Sequence, residues 1–251
     1  MLLGNEPVLT PEETFYQRLL ANDPEEATEQ AEEFVKGRSL AEFFDEVAIP
    51  ALVRAQADSD SDALAPGRRT IIKEGIRALL ENLSDGEVGY AASASEHAVP
   101  RQVEIVCVAG RNELDAAAAS LLVYLLRSEG YAVSGQVISA DAMASNDAHR
   151  TPFADQPLIC LSLLSTSSPA RARYLIRRVR RQMPRAMVLV GLWGLSPAEL
   201  TAAIGEIATA ADIVVASLGD AVAKIASALV SARAPAQLDS TPHPDVPRMT
   251  G

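Results

Sequence analysis

The spacing of apolar residues changes near residue 85 and divides the chain into two kinds of structure. Before that point apolar residues recur at helical intervals, as Phe15, Leu19 and Leu20 do. Three predicted helices begin after the capping residues Thr10, Asp23 and Ser39, and a fourth spans Gly67–Leu83. Pro50 lies inside the third helix and should bend or split it. Four helices with short loops predict a small helical bundle over residues 1–85.

After residue 100 short β-rich runs alternate with helical stretches. The predicted strands are Val103–Val108, Ala132–Ile138, Leu158–Leu164, Met187–Gly191 and Ile213–Ala216. The predicted helices are Glu113–Ser128, Pro169–Gln182, Pro197–Ala210 and Asp220–Ala232. This alternation predicts a five-stranded parallel sheet with helices on both faces, in the strand order 2-1-3-4-5. The fold class is therefore α/β, with an N-terminal four-helix bundle followed by that sheet.

Two segments of low apolar content complete the predicted domain division. The bundle domain covers residues 1–85 and the α/β domain covers 101–233. Residues 86–100 are small and polar with glycine, which predicts a linker. Residues 234–251 contain four prolines and few large apolar side chains, which predicts a disordered tail.

Composition narrows the class of protein. The 251 residues carry a formal net charge of −11 and only 4% aromatic residues, which argues against nucleic-acid binding. Two cysteines fit a reducing compartment. The sequence has no apolar run long enough to span a membrane and no signal-peptide pattern at its start. We expect a soluble cytoplasmic protein.

The charges are unevenly placed along the chain. Residues 1–60 contain fourteen acidic and four basic residues, whereas seven arginines lie between Arg171 and Arg185. One hypothesis is that the arginine-rich helix docks on the acidic bundle helices. An anionic lipid surface is an alternative partner, and a solvated outer face is the simplest interpretation.

Candidate ligand-binding residues follow the predicted strands. In an open parallel sheet ligands bind beyond the carboxyl ends of the strands, where the strand order reverses. The candidate residues are Arg111, Asn112, Asp115, Ser162, Ser165, Thr166 and Trp193. We expect Trp193, the single tryptophan, to lie in a loop at the rim of this crevice. Ordinary turn and capping chemistry without a ligand is the alternative.

Several kinds of site are excluded by the residues available. The three histidines fall in predicted linker, loop or tail, so neither a metal site nor a histidine-based triad is expected. Cys107 and Cys160 lie within predicted strands and should be buried structural thiols. The sequence has no glycine-rich nucleotide motif. We therefore expect no catalytic residues, no metal and no cofactor.

The order of bundle, linker and α/β domain resembles cobalamin-binding modules. The segments that carry the resemblance are Gly130–Val133, Ser162–Leu164, Ala211–Asp212 and Asp220–Val222. The resemblance implies a flavodoxin-like, cobalamin-binding-like sheet. Asp115 stands where that family has its cobalt-ligating histidine, Ala118 replaces a glycine, and Leu192 should crowd the nucleotide tail. These departures imply a degenerate, sensor-like version.

A second resemblance covers more of the chain. Residues 3–13 (LGNEPVLTPEE), 15–20 (FYQRLL), 43–47 (FFDEV) and 50–52 (PAL) resemble the cytoplasmic C-terminal extension of autoinducer-2 exporter family (PerM-like) transporters. The resemblance implies a transporter membrane domain as partner and a place at the inner face of the membrane.

The functional hypothesis is a non-enzymatic regulatory or ligand-sensing module associated with, or derived from, a membrane transporter. A small-molecule enzyme that uses the same crevice is one alternative, with Glu113, Asp115 and Ser162 as acid–base groups. A cobalamin-binding protein without histidine ligation is another. An interaction scaffold with no ligand is the third.

Overall fold

The computed structural model describes residues 9–86, 105–110, 112–131, 133, 137–139, 158–164, 169–207 and 210–231. The predicted tail and all of the predicted linker except Gly86 lie outside these residues and stay predictions. Within the ranges described, the helices are all too short or too polar to cross a bilayer.

The N-terminal part is helical, as predicted. Its helices are α1 (Pro11–Ala21), α2 (Pro24–Val35), α3 (Leu40–Phe43), α4 (Ile49–Asp60) and α5 (Arg68–Asp85). Thr10 and Ser39 each form the predicted capping box, in which the side chain accepts a hydrogen bond from the backbone of a glutamate three residues later. Asp23 caps α2 in the same way through the Glu26 N–H.

A π-helical segment, Phe44–Ala48, joins α3 to α4. Pro50 has no N–H and therefore cannot donate to the carbonyl four residues earlier. The chain accommodates the missing N–H with a π turn, in which the Ile49 N–H donates to the carbonyl of Phe44, five residues earlier. The proline therefore does not split the helix, which passes from α3 through one π turn into α4.

The C-terminal part is a parallel sheet in the order β2-β1-β3-β4-β5, which matches the prediction. Four strands have three to seven residues: β1 (Ile105–Ala109), β3 (Leu158–Leu164), β4 (Met187–Trp193) and β5 (Ile213–Val215). The edge strand β2 is two residues, Ile138–Ser139. The connecting helices are α6 (Glu113–Ser128), α7 (Pro169–Gln182), α8 (Pro197–Ile207) and α9 (Leu218–Ser231).

The two faces of the sheet belong to different hydrophobic clusters. Alternate strand residues such as Cys107, Cys160 and Leu189 face α6 and α9, and this cluster continues without a break into the bundle. The intervening residues, such as Val108 and Leu161, face α7 and α8. The bundle therefore packs on the α6 and α9 side, where the Phe44 and Tyr124 rings lie 6.2 Å apart.

The position of α7 corrects one hypothesis. The two halves of the chain do contact each other, but the arginine-rich helix takes no part, because α7 covers the sheet face opposite the bundle. The physical reason is the crossover geometry of the parallel sheet, which places the helices on the two sides of the switch point on opposite faces. Docking of this helix on its own acidic helices is therefore wrong.

Candidate functional site

The start of α6 meets the bundle at the carboxyl edge of the sheet. The Asn112 side chain caps α6 by accepting from the Leu114 and Asp115 N–H groups at 2.9 and 3.2 Å. Its Nδ2 donates to Oε1 of Gln56 in α4 at 2.9 Å. The Gln56 side chain is 2% exposed and donates to Asp60 at 2.9 Å. The candidate residue Asn112 thus joins the bundle to the sheet edge.

Asp115 lies in the first turn of α6 and is 1% exposed. Its Oδ1 accepts a hydrogen bond from the Leu164 N–H at the end of β3, at 2.8 Å. Its backbone carbonyl accepts from the Ser162 hydroxyl at 3.2 Å. The Asp115 carboxylate and backbone carbonyl therefore fasten α6 to β3.

Ser162 connects Asp115 to Trp193. The buried Ser162 Oγ accepts from the indole Nε1 of Trp193 at 2.7 Å, in addition to donating to Asp115. Trp193 is fully buried and lies over Gly191, since a Cβ built there would fall 2.0 Å from a carbon of the indole ring. Gly191 is the register partner of Ser162 on the adjacent strand. The indole therefore fills the space above the β3–β4 pair on the bundle side.

One expectation about this region is wrong. Trp193 is not in a loop at the rim, because β4 continues two residues past its predicted end and the indole is fully buried. Leu192, which was expected to crowd a nucleotide tail, packs into the α7 and α8 cluster on the sheet face opposite the bundle. On the bundle side, the Trp193 ring fills the space over Gly191.

The candidate residues divide into two sets. Asn112, Asp115, Ser162 and Trp193 form one continuous hydrogen-bonded chain from α6 to β4. Arg111, Ser165 and Thr166 lie outside the described residues, and their part in a site stays a prediction. Sequence reasoning missed Gln56. The feature that could have identified Gln56 is its position on the apolar stripe of α4, one helical turn after Leu52, where a polar side chain is unexpected.

Three other titratable side chains of the α/β part have structural partners: Glu113, Cys107 and Cys160. Glu113 forms an exposed ion pair with Arg69 of α5, with nitrogen and oxygen 3.4 Å apart. Cys107 and Cys160 are register partners on β1 and β3 and are both buried. A hydrogen bond with Cys107, together with burial, raises the pKa of the Cys160 thiol well above its ordinary value. These cysteines are therefore inert structural thiols, as predicted.

Asp45, in the π segment, makes a second contact between bundle and sheet. Its two carboxylate oxygens accept from the Leu218 and Gly219 N–H groups at 2.6 and 3.0 Å, at the start of α9. A carboxylate at this end of a helix is favoured by the helix dipole. The partners are more than 170 residues apart in the chain, so no local pattern could have identified the contact.

The Asp45 contact gives a prediction about pH. Burial raises the pKa of Asp45 above 3.8, although its hydrogen bonds from Gly219 and Leu218 lower it, and the nearby Asp220 and Glu46 carboxylates add to the rise. The folded protein then holds this proton more tightly than the unfolded chain does. The contribution of Asp45 to the unfolding free energy should fall as pH rises from about 3.8 through the raised pKa.

Urea unfolding of the wild type and of Asp45→Asn across that pH range measures this contribution. Asparagine keeps an oxygen acceptor but does not titrate, so the wild type should lose stability relative to the variant as pH rises. A wild type that gains stability relative to the variant over the same range would show that the two N–H groups outweigh burial.

Comparisons with known proteins bear on the whole chain. No family model matches the sequence, and no curated protein matches it. Among solved structures, the Methanosarcina barkeri monomethylamine corrinoid protein is similar with 14% identity and a TM-score of 0.52, over 86% of this chain and 96% of that one. This chain has a cobalamin-binding-like fold. At this identity the likeness shows the fold alone.

Two further solved structures have lower TM-scores. A cobalamin-binding protein from Desulfitobacterium hafniense DCB-2 gives 14% identity and a TM-score of 0.38, over 88% of this chain and 99% of that one. A chain of the methanol:cobalamin methyltransferase complex MtaBC from Methanosarcina barkeri gives 15% identity and a TM-score of 0.33, over 90% of this chain and 86% of that one. The transporter resemblance receives no support from the comparisons.

Proposed function

We propose that this chain is a non-enzymatic regulatory module with a cobalamin-binding-like fold, in which the place of the cofactor tail is taken by the protein's own side chains. The observation that carries the proposal is the buried Trp193 indole over Gly191, held by Ser162. Asp115, Ser162 and Asn112 hold other parts of the same chain, and the Ser162 hydroxyl donates to a backbone carbonyl and not to a general base. This arrangement argues against the small-molecule enzyme.

The residues present do not fit a cobalamin held by a protein histidine. Such a cofactor needs an imidazole at residue 115 and an empty channel for its nucleotide tail. Asp115 supplies a carboxylate that already accepts from the Leu164 N–H, and the Trp193 ring, which lies over Gly191, would fill the channel. We derive no role for a histidine-ligated cobalt in this chain.

A second candidate function is binding of a corrinoid that keeps its own lower base. The likeness to the monomethylamine corrinoid protein favours this candidate over association with a transporter. A corrinoid of this kind needs neither a histidine at residue 115 nor a tail channel, so Asp115 and Trp193 do not oppose it. It would bind at the carboxyl edge of the sheet, where Asn112 donates a hydrogen bond to Gln56.

Cobalamin binding distinguishes the two candidates. The purified protein is incubated with hydroxocobalamin, desalted, and its absorption spectrum is recorded. We expect no spectrum of histidine-ligated cobalt. Loss of all chromophore on desalting supports the regulatory module, and retention with the spectrum of the free cofactor supports the second candidate. A retained chromophore with histidine ligation would overturn both.

Two variants serve as controls for this experiment. Trp193→Ala opens the tail channel, and Asp115→His/Trp193→Ala also supplies the imidazole. Binding by the double variant but not by the wild type would identify these two positions as the reason for the difference. Circular dichroism before incubation shows whether each variant is folded.

Association with a membrane transporter is the finer part of the proposal. It rests on the resemblance of residues 3–20 and 43–52 to transporter extensions. The genomic reading frame upstream of residue 1 tests it directly. A permease encoded in the same frame would support the association, and an unrelated upstream sequence would remove its basis.

A further inference from the structure

The outward side of α7 and the turn that follows it form a basic surface, which we call the α7 arginine surface. It consists of Arg173, Arg177 and Arg181 of α7 and Arg185 of the turn. Arg177, Arg181 and Arg185 are exposed, and among the described residues no acidic side chain pairs with them. Arg173 makes one ion pair at its edge, with Glu206 at 3.5 Å. The opposite side of the helix, including Leu175 and Ile176, is buried on the sheet.

The outward side of α2 has the opposite charge. This α2 glutamate surface consists of Glu25, Glu29 and Glu33, all exposed and four residues apart. Glu33 forms an ion pair with Lys36, three residues later in the chain. Both side chains are exposed, so this ion pair adds little stability. Glu25 and Glu29 have no basic partner among the residues that the structure describes.

The two surfaces match in spacing and length. Arg173, Arg177 and Arg181 are also four residues apart, so both rows follow one side of their helix. Helices of 12 and 14 residues have lengths of about 18 and 21 Å at ~1.5 Å per residue. Every arginine in one row can therefore approach a glutamate in the other when the helices lie side by side.

These surfaces cannot meet within one molecule. The α7 helix covers one face of the sheet and the bundle packs on the other face. We infer that the α7 arginine surface binds the α2 glutamate surface of a second copy of the chain, in a head-to-tail contact. Such a contact leaves one free surface of each kind on every dimer, so it can close into a ring or continue along a filament.

A second copy fits the charges better than an anionic membrane does. Each copy of the chain has a net charge of −11, so net charge opposes both partners and the local match between the two rows decides. A second copy presents the matching acidic row and brings its own arginine row into a further contact. Because exposed ion pairs are individually weak, the association should be weak and sensitive to salt.

The test is sedimentation velocity of the full chain over a range of protein concentrations, at ~50 mM and ~500 mM NaCl. We expect concentration-dependent association at low salt and an association constant about tenfold lower at high salt. Arg177→Glu/Arg181→Glu and Glu25→Arg/Glu29→Arg should each abolish the association. Arg77→Glu/Lys224→Glu makes the same charge change as the arginine variant, at exposed positions outside both rows, and should leave the association intact.

Mixing the two variants makes the test specific. Neither variant should associate alone, but an equimolar mixture places an arginine row opposite a glutamate row again and should restore association. Restoration by the mixture supports the contact. A wild-type chain that stays monomeric at low salt, or a mixture that stays monomeric while the wild type associates, would overturn it.

Binding to lipid vesicles decides between a second copy and an anionic membrane as the partner. Vesicles of phosphatidylserine and phosphatidylcholine are added to the wild type at low salt. Binding to vesicles by a protein that stays monomeric in their absence would replace the second copy with an anionic membrane as the partner of α7.

Discussion

Replacing Trp193 with alanine should lower the free energy of unfolding by about 3–5 kcal/mol. The indole is the largest fully buried side chain among the described residues, and its removal leaves a cavity over Gly191 and Ser162 of β4 and β3. It also removes the indole N–H that donates a hydrogen bond to the buried Ser162 hydroxyl. Urea unfolding monitored by circular dichroism measures the loss. Tryptophan fluorescence cannot be used, because the variant lacks the only tryptophan of the chain.

Gly191 provides a matched test of how the indole is placed. In the wild type an alanine methyl at 191 would overlap the ring, so Gly191→Ala should cost about 1–3 kcal/mol. In the Trp193→Ala background the same methyl enters the cavity, and its cost should fall close to zero. An equal cost in the two backgrounds would show that the ring does not lie over Gly191.

Replacing Asp115 with alanine should cost about 1–3 kcal/mol, because the buried Leu164 N–H loses its acceptor. Asp115→Asn keeps an oxygen at the acceptor position and should lose less. Hydrogen exchange of the Leu164 amide reports the bond directly. We expect faster exchange of this amide in the alanine variant and near wild-type protection in the asparagine variant.

Exchange at Ile159 serves as an internal control, because this buried residue of β3 lies far from Asp115 along the strand. Its protection should change only as much as the global stability does. Unchanged protection of Leu164 in Asp115→Ala would contradict the assigned role of the carboxylate.

The sequence predicts most of the elements because their signals are local. The continuously apolar runs at Leu158–Leu164 and Met187–Gly191 are typical of buried parallel strands, and both are strands. The capping boxes at Thr10 and Ser39 lie within four residues of chain and are present. Short-range patterns of this kind depend on backbone chemistry that neighbouring residues complete by themselves.

The end of β4 shows why the candidate site was less predictable. The order Gly191-Leu192-Trp193-Gly194 suggests a turn beginning at the first glycine. In the structure only Gly194 has the left-handed backbone, with φ at 78°, whereas Gly191 is needed because the indole approaches its Cα. The burial of Trp193 depends on Ser162 from another strand, and contacts between distant residues leave no mark in the local pattern.

The hydrophobic cluster on the α6 side has a consequence for how the chain unfolds. Leu52 and Ile76 of the bundle belong to the same continuous core as Leu121 of α6 and Leu189 of β4. Neither part can lose its packing without exposing the apolar face of the other. Melting of the bundle and of the sheet should therefore be one cooperative event, with no partly folded species in which a single domain survives. We therefore expect the bundle and the sheet to behave as one folding unit, although their architectures differ.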